Sequence, residues 1–372
     1  MANRIFDLPQ TRGTFEMAGK VTGTQRNNFF SDKKTNSGKE RHALNFGVQT
    51  KKDGSPFYID LSGMPRDKVY FFRREDKEKG ITADKIEVPW KDRLTFAVPE
   101  GYNMIGVRVG VVKKSNDAGA MVNGSHILTD FDAAKEIADN LHDGDSVYVR
   151  GSIEYSTYKG KHQVRFVPNQ VSLSSKEIDF DAENFEEKAY FNQTIVYTGA
   201  HKADDSDEMV IDAKIVNYST IEDAEFFVDP NVDKDHAQLV KSIRKFIKPY
   251  TAFKCFGPIV NQEKVDEVEE DNIWGGKNKM ERQSSPVTRK LYLDGIDSDS
   301  FDPNLKDRDA TPTYTEDNIA AAVVKIAANE QAKKDFDGKA SDGEKEAAAW
   351  WGDANGASKI ASDDEVDSPW DD

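Results

Sequence analysis

Leu141, Val147, Val149, Gly151 and Ile153 recur 106 positions later as Ile247, Phe253, Cys255, Gly257 and Ile259. In both places an amphipathic helical stretch ends, a polar turn follows, and apolar residues alternate with outward ones at the period of a β-strand. Thr129-Asp130 offers caps for the first helix, and Phe131, Ala134, Ile137 and Leu141 share one face. His142-Asp143-Gly144-Asp145 is the turn after it, and Lys248-Pro249-Tyr250 stands in its place in the second copy. A glycine on the inward register suits a strand that coils too sharply to leave room for a Cβ. The repeat restricts the chain to folds that use a helix, a tight turn and a coiled strand twice.

The residues before the first helix also alternate. Phe15, Met17 and Val21 mark one strand face; Leu44, Phe46 and Val48 mark a second; Phe57, Ile59 and Leu61 mark a third. Lys51-Lys52-Asp53-Gly54-Ser55 carries hairpin turn chemistry between the last two. A fourth apolar run, Tyr102–Val112, precedes the helix, and Val164–Leu173 follows a basic hairpin tip, Lys159-Gly160-Lys161. Three strands, a helix, a turn and a closing hairpin give the strand order of an OB-fold barrel. Strand-like runs at Ala189–Thr198, Met209–Tyr218, Glu225–Val228 and Val287–Leu293 complete a second set around the repeat. The expected fold class is therefore mainly β with short helices: two tandem OB-fold-like barrels, residues 1–180 and 181–293. Residues 294–372 follow, with 21 acidic and 8 basic residues. This segment has too little apolar side chain to offset its ordering entropy, so it is expected to be a largely disordered acidic tail, with a short helix around Thr315–Lys334.

Charge divides along the same lines. The whole chain has a formal charge of −16, yet residues 1–175 hold 27 basic and 22 acidic residues and the remainder hold 24 and 45. Phosphate affinity needs clustered Lys and Arg, so only the first part suits nucleic acid. The second barrel, with 16 basic and 24 acidic residues over 176–293, suits protein contacts. One cysteine, Cys255, forbids an intrachain disulfide or a multi-cysteine metal centre, and the six histidines form no metal-ligand pair. No metal, cofactor or catalytic residue is expected. Phosphate-binding and nucleophile-elbow motifs are missing from the sequence. The acidic run Asp204-Asp205-Ser206-Asp207-Glu208 reads as solvated charge rather than a Mg²⁺ site. No apolar run reaches the ~20 residues of a membrane helix, and Met1–Gln10 has no signal-peptide core. A cytoplasmic location is expected.

Single strands are held by a cationic groove for phosphates and aromatic faces for bases. The first barrel interleaves both. Phe29 and Phe30 stand near Lys33 and Lys34 in what reads as a polar loop; Arg41 points outward from the second strand; Lys51 and Lys52 flank the hairpin turn. Tyr58 faces outward from the third strand, and Tyr70 and Phe72 run into Arg73 and Arg74. Tyr148 and Arg150 share the outward side of the fourth strand, followed by Tyr155 and Tyr158 beside Lys159 and Lys161. These are the candidate DNA-binding residues. Trp350, Trp351 and Trp370 lie in acidic sequence with no core to need them, which makes them candidates for a partner's pocket.

The segments Val69-Tyr70-Phe71-Phe72-Arg73-Arg74 and Val88-Pro89-Trp90-Lys91-Asp92-Arg93 are similar to phage-type single-stranded DNA-binding proteins. The resemblance covers about 13–175 and the acidic tip. It implies an OB-fold that binds single-stranded DNA without sequence preference in phage replication and recombination, in the host cytoplasm, recruiting replication or recombination proteins through the tail, with self-association open. The tip departs from bacterial relatives: they end in Asp-Asp and an apolar pair, whereas this chain ends Pro-Trp-Asp-Asp. The competing reading is an OB-fold adaptor or structural phage protein that binds other proteins. The discriminating observation is whether the basic and aromatic groups share one barrel face.

Overall fold

The computed structural model describes residues 4–35, 38–115, 121–158, 161–204, 206–263, 287–302 and 311–339. The chain is mainly β. The first unit begins with β1 (Gly13–Thr22), β2 (Phe30–Lys34), β3 (Glu40–Gln49) and β4 (Phe57–Gly63). A small separate sheet follows, made of β5 (Lys68–Arg73), β6 (Asp84–Pro89) and β7 (Tyr102–Met104). Next come the hairpin β8 (Val107–Ser115) and β9 (Met121–Leu128), helix α1 (Asp130–Asn140), and the hairpin β10 (Ser146–Tyr158) and β11 (Lys161–Leu173).

Pairing runs from β1 to β10, β11, β4 and β3, then back to β1. That circuit has the strand order of an OB-fold, with α1 between its third and fourth strands. It is not a fully closed barrel, since β4 and β11 meet at a single parallel pair, Ile59 with Phe166. The alternation anticipated in sequence fills the interior: Phe15, Met17, Leu44, Phe46, Val48, Phe57, Ile59, Val147 and Val149 are all buried. Helix α1 adds Ala134 and Ile137 to that core, and Thr129 caps it by accepting from the Asp132 amide at 3.2 Å.

The second unit repeats the plan. It comprises β12 (Lys188–Lys202), β13 (Met209–Val216), β14 (Ile221–Val228), α2 (Lys234–Phe246), β15 (Ala252–Glu263) and β16 (Val287–Leu291). β12 pairs with β13 and β15, β13 with β14, and β15 with β16, while Phe227 bridges in parallel to Tyr292 just past β16. The 106-residue repeat is structural: Leu141 and Ile247 are the C-caps of α1 and α2. A Cβ on Gly151 would stand 2.0 Å from the Val167 carbonyl oxygen, and one on Gly257 would stand 2.0 Å from that of Tyr292. Both glycines are thus required by the same close approach of a neighbouring strand.

The units join through their first strands. β1 pairs antiparallel with β12, from Gly13 opposite Gln193 to Ala18 opposite Lys188. An approximate twofold axis passes through this seam, and the contacts around it are reciprocal. Near the end of β10, the Tyr155 carbonyl accepts from Asn217, and Thr157 donates to Glu222 at 2.7 Å. At the position 106 residues after Tyr155, Asn261 donates to the carbonyls of Ser55 and Pro56. Arg289, beside it on β16, lies 4.6 Å over the Phe166 ring and donates to the Val164 carbonyl at 2.7 Å. Its burial pushes the guanidinium pKa down to about 10, so it stays charged at neutral pH. Each unit's closing hairpin therefore grips the other unit.

The segment after residue 293 differs from expectation. β17 (Gly295–Asp297) pairs with β15, and Asp302 is buried. Helix α3 (Glu316–Lys339) lays Ile319 and Ala322, with Tyr314, against Phe6, Leu8, Val196, Val216 and Ala252. The ordering cost is met by a second small core, completed by Phe6 and Leu8, at least 306 positions away in sequence, and by Val196, Val216 and Ala252 of the second unit. Residues 340–372, including Trp350, Trp351 and Trp370, lie outside the described residues. Among the described residues no helix is long and apolar enough to cross a membrane.

Candidate nucleic-acid interface

The clearest grouping lies on the outer face of β2, β3 and β4. Lys33 stands opposite Arg41 across the β2–β3 ladder, and both are exposed. Arg41 reaches the Ser62 hydroxyl on β4 at 3.3 Å. From the loop after β1, Arg26 lies 5.2 Å over the Tyr58 ring and donates to its hydroxyl at 2.7 Å. Asn45 donates to Asp60 at 2.6 Å, and Arg165 of β11 stands 3.7 Å from the same carboxylate. Among the described residues, Arg26 and Arg41 therefore meet hydroxyls rather than carboxylates.

A second group occupies the β5–β6 face. Val69, Phe71 and Val88 form a small core on one side. The alternation turns Tyr70 and Phe72 to the other, where Phe72 is 37% exposed. Lys85 and Lys68 lie 4.7 and 5.9 Å over the Tyr70 ring. Glu87 bridges both lysines, and they hold its carboxyl down to about 2. Arg73 is turned inward, over the Tyr102 ring and onto the Thr82 carbonyl, while Arg74 is exposed past the strand end.

The sheet is fixed to the first unit by Arg93. Its guanidinium makes a bidentate pair with Asp132 of α1 at 2.6 and 2.7 Å, and stacks 4.0 Å from Trp90. Trp90 in turn meets Phe131 edge-on. The Trp90–Arg93 segment is thus an anchor, a role that no local pattern in the sequence announces.

The structure corrects the stacking roles of Phe29, Phe30 and Tyr155 and places the other expected contacts as follows. Phe29 is only 8% exposed and belongs to the core. The polar loop assigned to it becomes β2 from Phe30 onward; Phe29 lies just before that strand, its carbonyl accepting from the Asn45 amide at 2.8 Å while its ring enters the core. Phe30 packs half-buried with its ring edge toward His42, so it is not a free stacking platform. Tyr155 is 6% exposed, because the inward register of β10 continues past Ile153. Lys51 and Lys52 are exposed but engaged, with Glu187 at 3.7 Å and Asp181 at 2.6 Å. Lys34 is exposed at the end of β2 on the opposite register from Lys33. Tyr148 and Arg150 do face outward, yet on the side of the barrel that runs into β1 and β12, with the Tyr148 hydroxyl on Glu16 at 3.0 Å. Lys159 and the side chains of Tyr158 and Lys161 lie outside the described part. The sequence reading missed Arg26, Arg165, Lys68 and Lys85. The last of these was visible in the alternation of Lys85 and Glu87 with Ile86 and Val88.

A family model named YorF matches residues 13–338. The chain belongs to the YorF family. The match spans both units and reaches into α3, and leaves outside it Phe6 and Leu8 of the core under α3. No curated protein matches the sequence. Among solved structures, the YorF chain is similar to the wild-type single-stranded DNA binding protein from Thermus aquaticus, at a TM-score of 0.33 and 11% identity, covering 78% of this chain and 93% of that one. A deletion mutant of the same Thermus aquaticus protein gives a TM-score of 0.33 and 13% identity, with 77% and 94% covered.

Proposed function

We propose that this protein binds single-stranded DNA without sequence preference, as a binding protein rather than an enzyme. The observation that carries the reading is the outer β2–β3–β4 face. There Arg26 lies over Tyr58 towards one end of the face and Lys33 and Arg41 stand towards the other, none with a carboxylate partner among the described residues. This is the face on which OB-folds hold oligonucleotides. Cations towards both ends of the face and an aromatic ring beside one of them suit a flexible polyanion whose bases are free to stack, and a base–aromatic stack contributes about 1–3 kcal/mol. The β5–β6 face, with Tyr70 and Phe72 between Lys68 and Lys85, extends the same chemistry. On this reading the acidic C-terminal residues, with Trp350, Trp351 and Trp370, recruit replication or recombination proteins in phage DNA metabolism.

The test is a fluorescence titration of the full chain with oligothymidine at two salt concentrations. Affinity should fall as salt rises, with a log–log slope of about −0.7 per phosphate neutralised. Arg41→Ala with Lys33→Ala should reduce that slope by about 1 to 1.5. Salt-insensitive binding, or equal affinity for duplex DNA, would overturn the reading.

A further inference from the structure

The two units place equivalent helices in equivalent positions, yet the helices carry opposite charge. α1 holds Asp130, Asp132, Glu136 and Asp139 against Lys135. α2 holds Lys234, Lys241, Arg244 and Lys245 against Asp235. Lys234, Lys241 and Lys245 fall on one side of α2 by their spacing of seven and four, and Lys248 follows just past its end. None of these five cations is in an ion pair within the described residues. The overall negative charge of the second unit conceals this basic helix.

Shape adds a second, independent complementarity. Beside α1 lies a depression of about 490 Å³ lined by Leu94, Val112 and Leu128 together with Glu136, Asp139 and Lys135. Leu94 is 63% exposed, and Glu136 Oε1 is buried with no hydrogen-bond partner among the described residues. On α2, Phe246 is 56% exposed and has Lys245 5.0 Å over its ring. One unit thus offers a hollow lined by apolar and acidic side chains, and the other offers an aromatic knob with basic neighbours.

We infer that the basic end of α2 docks on the α1 depression of a second copy of this chain. The contact is heterologous: it uses two different patches, and each bound copy still has one of them free. Such contacts propagate head to tail rather than closing as a twofold dimer does. The local pairs at α1, Lys135 with Asp139 at 2.9 Å and His126 with Glu136 at 3.0 Å, are surface pairs that contribute little and can exchange partners.

The experiment is sedimentation velocity of the full chain without nucleic acid, over a concentration series at low and high salt. The mass should rise with concentration past that of a dimer and return toward monomer as salt is raised. Lys241→Glu with Lys245→Glu should abolish the rise, and so should Glu136→Lys with Asp139→Lys. Phe246→Ala should weaken assembly at least ten-fold. Mixed in equal amounts, the two charge-reversal variants should recover assembly, since the native pair of patches and the doubly reversed pair are both complementary. A misfolded variant cannot give that result, and thermal melting of each variant checks its fold separately. A wild-type chain that stays monomeric at low salt overturns the inference. So does an assembly that both variants leave unchanged, or a mixture of folded variants that stays monomeric.

Discussion

At the level of single residues, the most informative positions are those that the repeat makes comparable. Gly144 has φ 91° in the turn after α1, and Tyr250, 106 positions on, has φ 66° in the turn after α2. Both turns are tied in the same way: the Gly144 amide donates to the Val21 carbonyl and the Tyr250 amide to that of Tyr197. The left-handed region costs a non-glycine residue roughly 1–2 kcal/mol. Tyr250 offsets this by packing on the small core around Phe6 and Leu8. Gly144→Ala should therefore lower the melting temperature by a few degrees, whereas Tyr250→Gly should give little net change. Gly151→Ala and Gly257→Ala should be worse, at about 1–3 kcal/mol each, because a carbonyl oxygen occupies the space of the new methyl group. These glycines were legible from the inward alternation alone. Phe29 was not, since its burial depends on a core built from strands further along the chain, and nothing in Asn27-Asn28-Phe29-Phe30 encodes that packing. Tyr155 was misjudged for a different reason: its register said core, and its phenol suggested a ligand.

Among elements, the β5–β7 sheet and the α3 layer are each held by a few identifiable contacts. Arg93 and Asp132 are both largely buried, so losing one partner strands the other, at a cost of about 3–5 kcal/mol. Arg93→Ala should loosen β5–β7 from α1 and open residues 64–105 to limited proteolysis while the barrel stays folded. Unchanged protection there would show that Trp90 alone is the anchor. The α3 layer responds to pH instead. Tyr314 donates to the Pro9 carbonyl at 2.9 Å, and burial, helped by nearby Asp302, pushes its phenol up to about 12. The folded protein then keeps a proton that the unfolded chain releases near pH 10, so this contribution is present below pH 10 and is lost between about 10 and 12. Tyr314→Phe should flatten the alkaline fall in stability over that range, as read by denaturant melts. Composition hid this layer. Residues 294–372 hold few large apolar side chains, and the core they join is completed by Phe6 and Leu8 at the other end of the chain. The β5–β6 strands were partly legible, because Val69 and Phe71 alternate with Tyr70 and Phe72. Their separation into a sheet of their own carried no sequence signal.

For the whole molecule, the reciprocal grip of the two hairpins and the β1–β12 ladder make the units interdependent. A fragment ending near residue 180 keeps every strand of the first circuit but bares the outer edge of β1 and the Phe166 ring that Arg289 covers. Such a fragment should elute as an aggregate or dimer in size-exclusion chromatography, and a stable monomer would mean that the seam contributes little. The twin plan was legible in the sequence, since spacing within a unit is local. The seam between units was not, because it joins positions such as Phe15 and Phe191. That distance also has a meaning in time. A ribosome adding about 5–20 residues per second takes roughly 9–35 seconds to pass from β1 to its partner in β12. Through that interval β1 presents a row of unpaired amides and carbonyls to whatever lies nearby, and on a crowded polysome the nearest matching strand is the β1 of another nascent chain. The late arrival of β12 is what converts that exposed edge into the internal seam of a single molecule.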